Sequence, residues 1–119
     1  MLQIAALLIA LLGLAHSVLG ERYILVRLFR RDLPKLFGGT GFTRNTLRFA
    51  WHLTTMLAWG ISAVLFQLSG AASPQALAQT VGWCLVLSGL LPLAFTRGRH
   101  LAWVVLFGAG GLCLAWAAP

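Results

Sequence analysis

The chain has 119 residues, of which 60% are hydrophobic and 9% charged, and its nine basic and two acidic residues give a net charge of +7. A soluble domain of this size leaves much of its surface facing water, so this composition, with a mean hydropathy of +0.88, excludes a soluble globular fold. All charged residues lie in two short blocks, from Glu21 to Arg48 and from Arg97 to Arg99. Basic residues at the ends of apolar runs serve orientation and attraction to anionic lipid headgroups, so we expect no nucleic-acid partner.

Four apolar segments, each close to the ~20 residues that span a bilayer as a helix, predict one transmembrane domain over residues 1–119. The predicted helices cover about residues 2–19, 47–68, 75–95 and 101–118. The run from Phe49 to Thr96 has no charged residue, and as one helix it would span roughly 70 Å, over twice the ~30 Å hydrocarbon core. That run therefore crosses twice, and we expect an all-α integral membrane four-helix bundle.

The first segment has a small-residue end that resembles a secretory signal, but no basic residue precedes it, so we interpret it as a transmembrane helix. We expect the basic segment 20–46 to begin with an interfacial helix that Asp32 and Pro34 break, followed by a glycine-rich loop. Thr43 or Asn45 would then cap the second transmembrane helix.

Basic residues favour the cytoplasmic side of a membrane. Two predicted crossings separate the two basic blocks from each other, so both blocks lie on the same side. This predicts that segment 20–46 is cytoplasmic and that both termini face outward. The absence of an organelle signal favours a bacterial inner (cytoplasmic) membrane, with anionic headgroups as the lipid partner.

Small residues on the first and fourth helices predict faces where backbones approach closely. They are Gly13, Ser17, Gly20, Gly108, Gly111 and Ala115. Such faces also suit a membrane-protein partner or a homo-oligomer. Cys84 and Cys113 are interpreted as small apolar packing residues.

The three histidines, His16, His52 and His100, all fall at the cytoplasmic ends of predicted helices. His16 and His52 should lie roughly 6 to 8 Å inside their flanking charges, whereas His100 is almost at the surface. On the second helix a polar and aromatic stripe should face the protein, because strongly polar groups in membranes avoid lipid. The stripe comprises Asn45, Arg48, His52, Thr55, Trp59 and Ser62.

His16 and His52 could be axial ligands of a haem, with Arg22 and Arg48 at the propionates, or the core of a site for iron, copper or zinc completed by Glu21 or His100. On an ideal helix Glu21 lies about 140° from His16, so a chelate using both requires the helix to distort near Gly20. The alternatives are that the histidines only hydrogen-bond neighbouring groups and hold the helices together, or that they serve proton transfer or quinone binding.

The elements His16-Ser17-x-x-Gly20-Glu21 and Arg48-x-x-Trp51-His52 resemble those of small bacterial four-helix membrane proteins. The resemblance implies a membrane location and a role for these residues, and it supplies no substrate, cofactor or mechanism. Two function classes follow. One is a cofactor-binding or redox membrane protein, and the other is a non-catalytic accessory or assembly subunit of a larger membrane complex.

Overall fold

The computed structural model describes all residues, 1–119, and contains four helices and no strand. We label the helices α1 (Leu2–Leu28), α2 (Gly41–Leu68), α3 (Pro74–Thr96) and α4 (Ala102–Trp116). The first three are long and apolar enough to cross a membrane, whereas α4 is apolar but has only 15 residues. At 1.5 Å per residue α4 is about 22 Å long, less than the ~30 Å hydrocarbon core.

The first helix is longer than predicted and changes its winding. It is α-helical over Leu2–Leu19, π-helical over Gly20–Leu25 and α-helical again over Val26–Leu28. The residues predicted to form an interfacial helix thus continue α1 and are not a separate element, while their depth in a membrane stays a prediction. The backbone has no proline before residue 34, and Leu25, only 2% exposed, anchors the continuation.

The second helix begins at Gly41, six residues before the predicted start. Its N-cap residue is Thr40, which makes no side-chain capping bond. The expectation that Thr43 or Asn45 caps α2 is wrong, because both lie inside the helix. The Thr43 hydroxyl instead donates to the carbonyl of Pro34 at 2.8 Å and ties the preceding loop to the helix.

The four helices form an open row. Each packs only on its neighbours in sequence, α1 on α2, α2 on α3 and α3 on α4. The molecule measures 50 × 30 × 14 Å, and 14 Å is close to the thickness of a single helix with its side chains. The predicted bundle is thus not closed within one chain, and α1 and α4 are the two edges of the row.

Glycines set how closely the helices approach. A Cβ on Gly110 of α4 would lie 2.8 Å from the carbonyl oxygen of Gly82 on α3, and Gly60 of α2 receives the Cys84 side chain. Cys84 therefore packs as predicted, and its Sγ lies 3.4 Å from the carbonyl oxygen of Met56.

The small residues that α4 was predicted to use are not the ones in contact. Gly108 and Gly111 have no atom within 4 Å of a Cβ position, and Ala115 is exposed. On α1 the prediction is right for Gly13 and Gly20, which are buried against α2. Because α4 is apolar on every side, its sequence carries no signal for which face turns toward α3.

Gly110→Ala should destabilise the protein by about 1 to 3 kcal/mol, because the new methyl group would press on the backbone of α3. Gly70→Ala, in the turn between α2 and α3 and away from α4, is the control, since its methyl group would lie 3.6 Å from the nearest atom, the Gln67 carbonyl oxygen. Denaturation of both variants in detergent micelles measures the difference. Equal stabilities would contradict the α3–α4 packing described above.

Candidate functional site

A ladder of hydrogen bonds joins α2 to α1. The side chains of Ser62, Trp59, Thr55 and Trp51 donate to successive carbonyl oxygens on one face of α1, at 2.7, 3.1, 3.2 and 3.0 Å. The acceptors are Ala6, Ala10, Gly13 and His16. Together with the contacts of Arg48 and His52 described below, the ladder confirms that the predicted stripe of α2 faces the protein. Asn45 is the exception, because it lines a groove near the α3–α4 turn.

At the end of the ladder the indole of Trp51 lies parallel to the ring of His16, with 4.4 Å between the ring centroids. His16 Nε2 is 2.8 Å from the hydroxyl oxygen of Thr54, and that hydroxyl donates to the Trp51 carbonyl at 2.6 Å. Since the hydroxyl proton is used on the carbonyl, His16 Nε2 is assigned as the donor to Thr54. Thr54 and Trp51 are three residues apart, so a helix places both on one face, and this spacing is the sequence feature that could have predicted their shared contact with His16.

The π-helical turn begins at Gly20, the position where a chelate of His16 and Glu21 would have required a distortion, although the turn brings Glu21 to His52 and not to His16. A Cβ at Gly20 would overlap the Trp51 ring, so only glycine lets the two helices meet here. Within the turn, the N–H of Val26 bonds to the carbonyl of Glu21, five residues back. Such turns are rare and are often found at functional sites. Here the turn lies where the Glu21 carboxylate reaches α2.

Glu21 and Ser17 hold the two ring nitrogens of His52. The Ser17 Oγ is 2.6 Å from Nδ1, and Glu21 Oε2 is 3.2 Å from Nε2. An ionised carboxylate only accepts, so Nε2 of His52 is assigned the proton that faces Glu21, and in the neutral ring Nδ1 accepts from the Ser17 hydroxyl. The result is a directed chain from Ser17 through His52 to Glu21.

Arg48 closes the cluster from α2. Its Nη2 and Nε atoms donate to the two Glu21 carboxylate oxygens at 2.7 and 3.2 Å, and its guanidinium lies 5.0 Å from the centroid of the Phe29 ring. The side chains of Arg48 and Glu21 are 30% and 32% exposed, so the pair is open to its surroundings on one side. No feature of the sequence pattern predicts that Phe29 contacts Arg48.

Two residues assigned to the site from the sequence lie elsewhere. Arg22 is exposed, and its guanidinium lies 5.8 Å from the ring of its neighbour Tyr23. His100 lies beside the rings of Phe42 and Phe49, and its Nδ1 accepts the N–H of Ala102. Four side chains are brought together by the structure: Ser17, Glu21, Arg48 and His52. The ring of His16 does not join them and is stacked on Trp51.

The donor set is small for a metal ion. No group of three or more His, Cys, Asp and Glu side chains lies close enough together to hold one. Only Glu21 and His52 converge, and a metal there would replace the proton between them. Haem ligation by His16 and His52 would need a free nitrogen on each ring, whereas both nitrogens of His52 have partners.

The order serine, histidine, carboxylate also occurs in hydrolases, where a base activates the nucleophile. That chemistry needs donors placed for an oxyanion. Ser17 lies within a regular helix, whose backbone N–H groups are used in helix hydrogen bonds, and none of the principal grooves is lined by Ser17 or His52. The geometry thus favours a fixed polar link between helices over nucleophilic catalysis.

No protein-family model matches the chain, and no curated protein or solved structure is significantly similar to it. The function is therefore inferred from the geometry of the chain itself.

Glu21→Gln should lower stability by about 1 to 2 kcal/mol, because it leaves the Arg48 charge without its carboxylate and weakens the His52 bond. Asp32→Asn makes the same change in charge at an exposed residue outside any ion pair and should stay within about 0.5 kcal/mol of wild type. Denaturation in micelles compares the two. A Glu21 variant as stable as the Asp32 variant would show that the cluster does not hold α1 on α2.

Proposed function

We propose that this protein is a non-catalytic membrane subunit that acts by assembly, and that the edge of the row formed by α4 packs against the same edge of a second copy. The observation that carries the proposal is the open row, in which α4 has a neighbour on one side only. The polar cluster around Glu21 then serves to hold α1 on α2 and is not a reaction centre.

The free side of α4 is suited to helix packing. Gly108, Gly111 and Ala115 make a stripe of small residues there, flanked by Val105 and Leu112, which are 70% and 75% exposed. Helix association in membranes depends on close backbone approach, which such a stripe allows. A symmetric pair would place the stripe of one copy on the stripe of the other.

The length of α4 is an independent argument. A helix of about 22 Å is shorter than the ~30 Å core, and oligomerisation is one way in which short helices are accommodated in a bilayer. Packing α4 on a second copy would bury its apolar sides without requiring contact with lipid along its whole length.

We expect disulfide formation between two copies that carry cysteine at position 111, in a background with Cys84→Ala and Cys113→Ala, when membranes are treated with a mild oxidant. Cysteine at position 12, on the exposed side of α1, is the matched control at the other edge and should stay reduced. If the variant with cysteine at position 111 formed no disulfide-linked dimer, the proposed assembly would be overturned. Dimers of the position 12 variant, with none of the position 111 variant, would place the interface at α1.

For location and orientation we propose a multi-pass protein of a bacterial inner membrane with both termini outside. The supporting observation is that the two basic blocks lie on the same side of the molecule, at the ends of the helices. Gly41 from the first block and Arg99 from the second line the same two grooves. A cysteine introduced at position 35 should react with a membrane-impermeant reagent only after the cytoplasmic side is opened. Labelling from outside intact cells would reverse the orientation.

A transition metal at Glu21 and His52 is the second candidate, favoured by the 3.2 Å separation of Oε2 and Nε2. If this site operates, elemental analysis finds about one iron, copper or zinc per chain, and His52→Ala removes it. His100→Ala should retain the metal, because that ring lies among phenylalanines. An absorption spectrum tests haem on the same sample. A colourless, metal-free and folded preparation would exclude this candidate and leave assembly as the function.

A further inference from the structure

A second polar groove lies at the basic end of the molecule, apart from the Glu21 cluster. It has a volume of about 210 Å³ and lies between the start of α2 and the turn that joins α3 to α4. Its polar lining includes Asn45, Thr96, Arg97 and Arg99. Both arginines belong to the short turn and are exposed, so their charges can meet a group that enters from the interface.

Nothing within the chain neutralises these two arginines. The protein has nine basic and two acidic residues, and Arg48 is the only arginine or lysine with a carboxylate partner. Neither Arg97 nor Arg99 is near a carboxylate or stacked on an aromatic ring. Both guanidinium groups in this groove are therefore open to an anion from outside the protein.

The start of α2 adds to the positive potential. Gly41 and Phe42 line the groove, and their backbone N–H groups have no acceptor, because no side chain caps the helix. The first turn of a helix carries about half a positive elementary charge. The positive potential at the start of α2 adds to that of the two arginines and would not form a site without them.

Apolar residues lie directly beside the groove. Phe37 is 74% exposed and Leu36 is 48% exposed, and both line an adjoining groove that shares Phe42 and Arg99 with the first. A group that offers negative charge next to hydrocarbon matches this pairing of arginine and exposed apolar side chains.

We propose that the groove binds one phosphate group, with Arg97 and Arg99 as its charged ligands, and that this phosphate belongs to an anionic lipid whose acyl chain lies along Leu36 and Phe37. Arginine matches phosphate geometry through paired N–H donors, and basic pockets between helices are suited to lipid headgroups. The site is independent of the assembly proposed through α4.

The test is native mass spectrometry of the full chain in detergent, with dioleoyl phosphatidylglycerol added in steps. We expect one tightly retained lipid per wild-type chain, and retention reduced at least tenfold in the double variant Arg97→Gln, Arg99→Gln. The matched control is Arg30→Gln, Arg31→Gln, which makes the same change in net charge at exposed residues after α1 and should keep the lipid. Both double variants should unfold at the wild-type denaturant concentration, since the altered side chains are exposed.

Phosphatidylcholine and inorganic phosphate complete the experiment. Retention of phosphatidylglycerol but not of phosphatidylcholine supports an anionic lipid. Displacement of the lipid by millimolar inorganic phosphate would assign the site to free phosphate and overturn the lipid part of the proposal. Equal loss in both double variants would mean diffuse attraction to the basic surface, and no loss in the Arg97, Arg99 variant would overturn the site altogether.

Discussion

The need to satisfy the polar side chains of α2 within the protein is the constraint on which the rest of this structure depends. In hydrocarbon, hydroxyl and indole donors have no water to bond, and four of those on α2 donate to carbonyl oxygens of α1. Interhelical hydrogen bonds in membranes average about 0.6 kcal/mol each, so four of them contribute about 2 kcal/mol. Their larger effect is geometric, because each bond forms in only one register of α1 along α2.

This register of α1 along α2 requires a small residue at position 20 of α1. Trp51 reaches the His16 carbonyl only because Gly20 leaves space for its ring. The π-helical turn begins at that glycine, and Glu21, one of two acidic residues, lies in it with its carboxylate on Arg48 and His52. Helix packing, π-helical winding and ion pairing thus depend on one another in this part of the α1–α2 contact.

The contacts and surfaces along the open row differ in chemistry. The α1–α2 contact is polar and internally satisfied, whereas the α3–α4 contact relies on glycines and the free side of α4 is apolar. Positive charge collects at one end, and apart from Arg48 it has no counter-charge within the chain. The apolar side of α4 and the basic end are the two surfaces on which we propose that a second copy and a lipid phosphate bind.

The number and approximate positions of the helices follow from the amino-acid sequence alone, because apolar length and the two charged blocks are local properties. The sequence also determines which side of α2 faces the protein, since polar residues at helical spacing must avoid lipid. Three features are visible only in the folded chain: α1 continues past Gly20, α4 contacts α3 through Gly110, and Glu21 contacts His52 but not His100. These outcomes depend on how neighbouring helices rotate against each other, and an apolar helix in an apolar solvent carries no pattern from which its rotation can be derived.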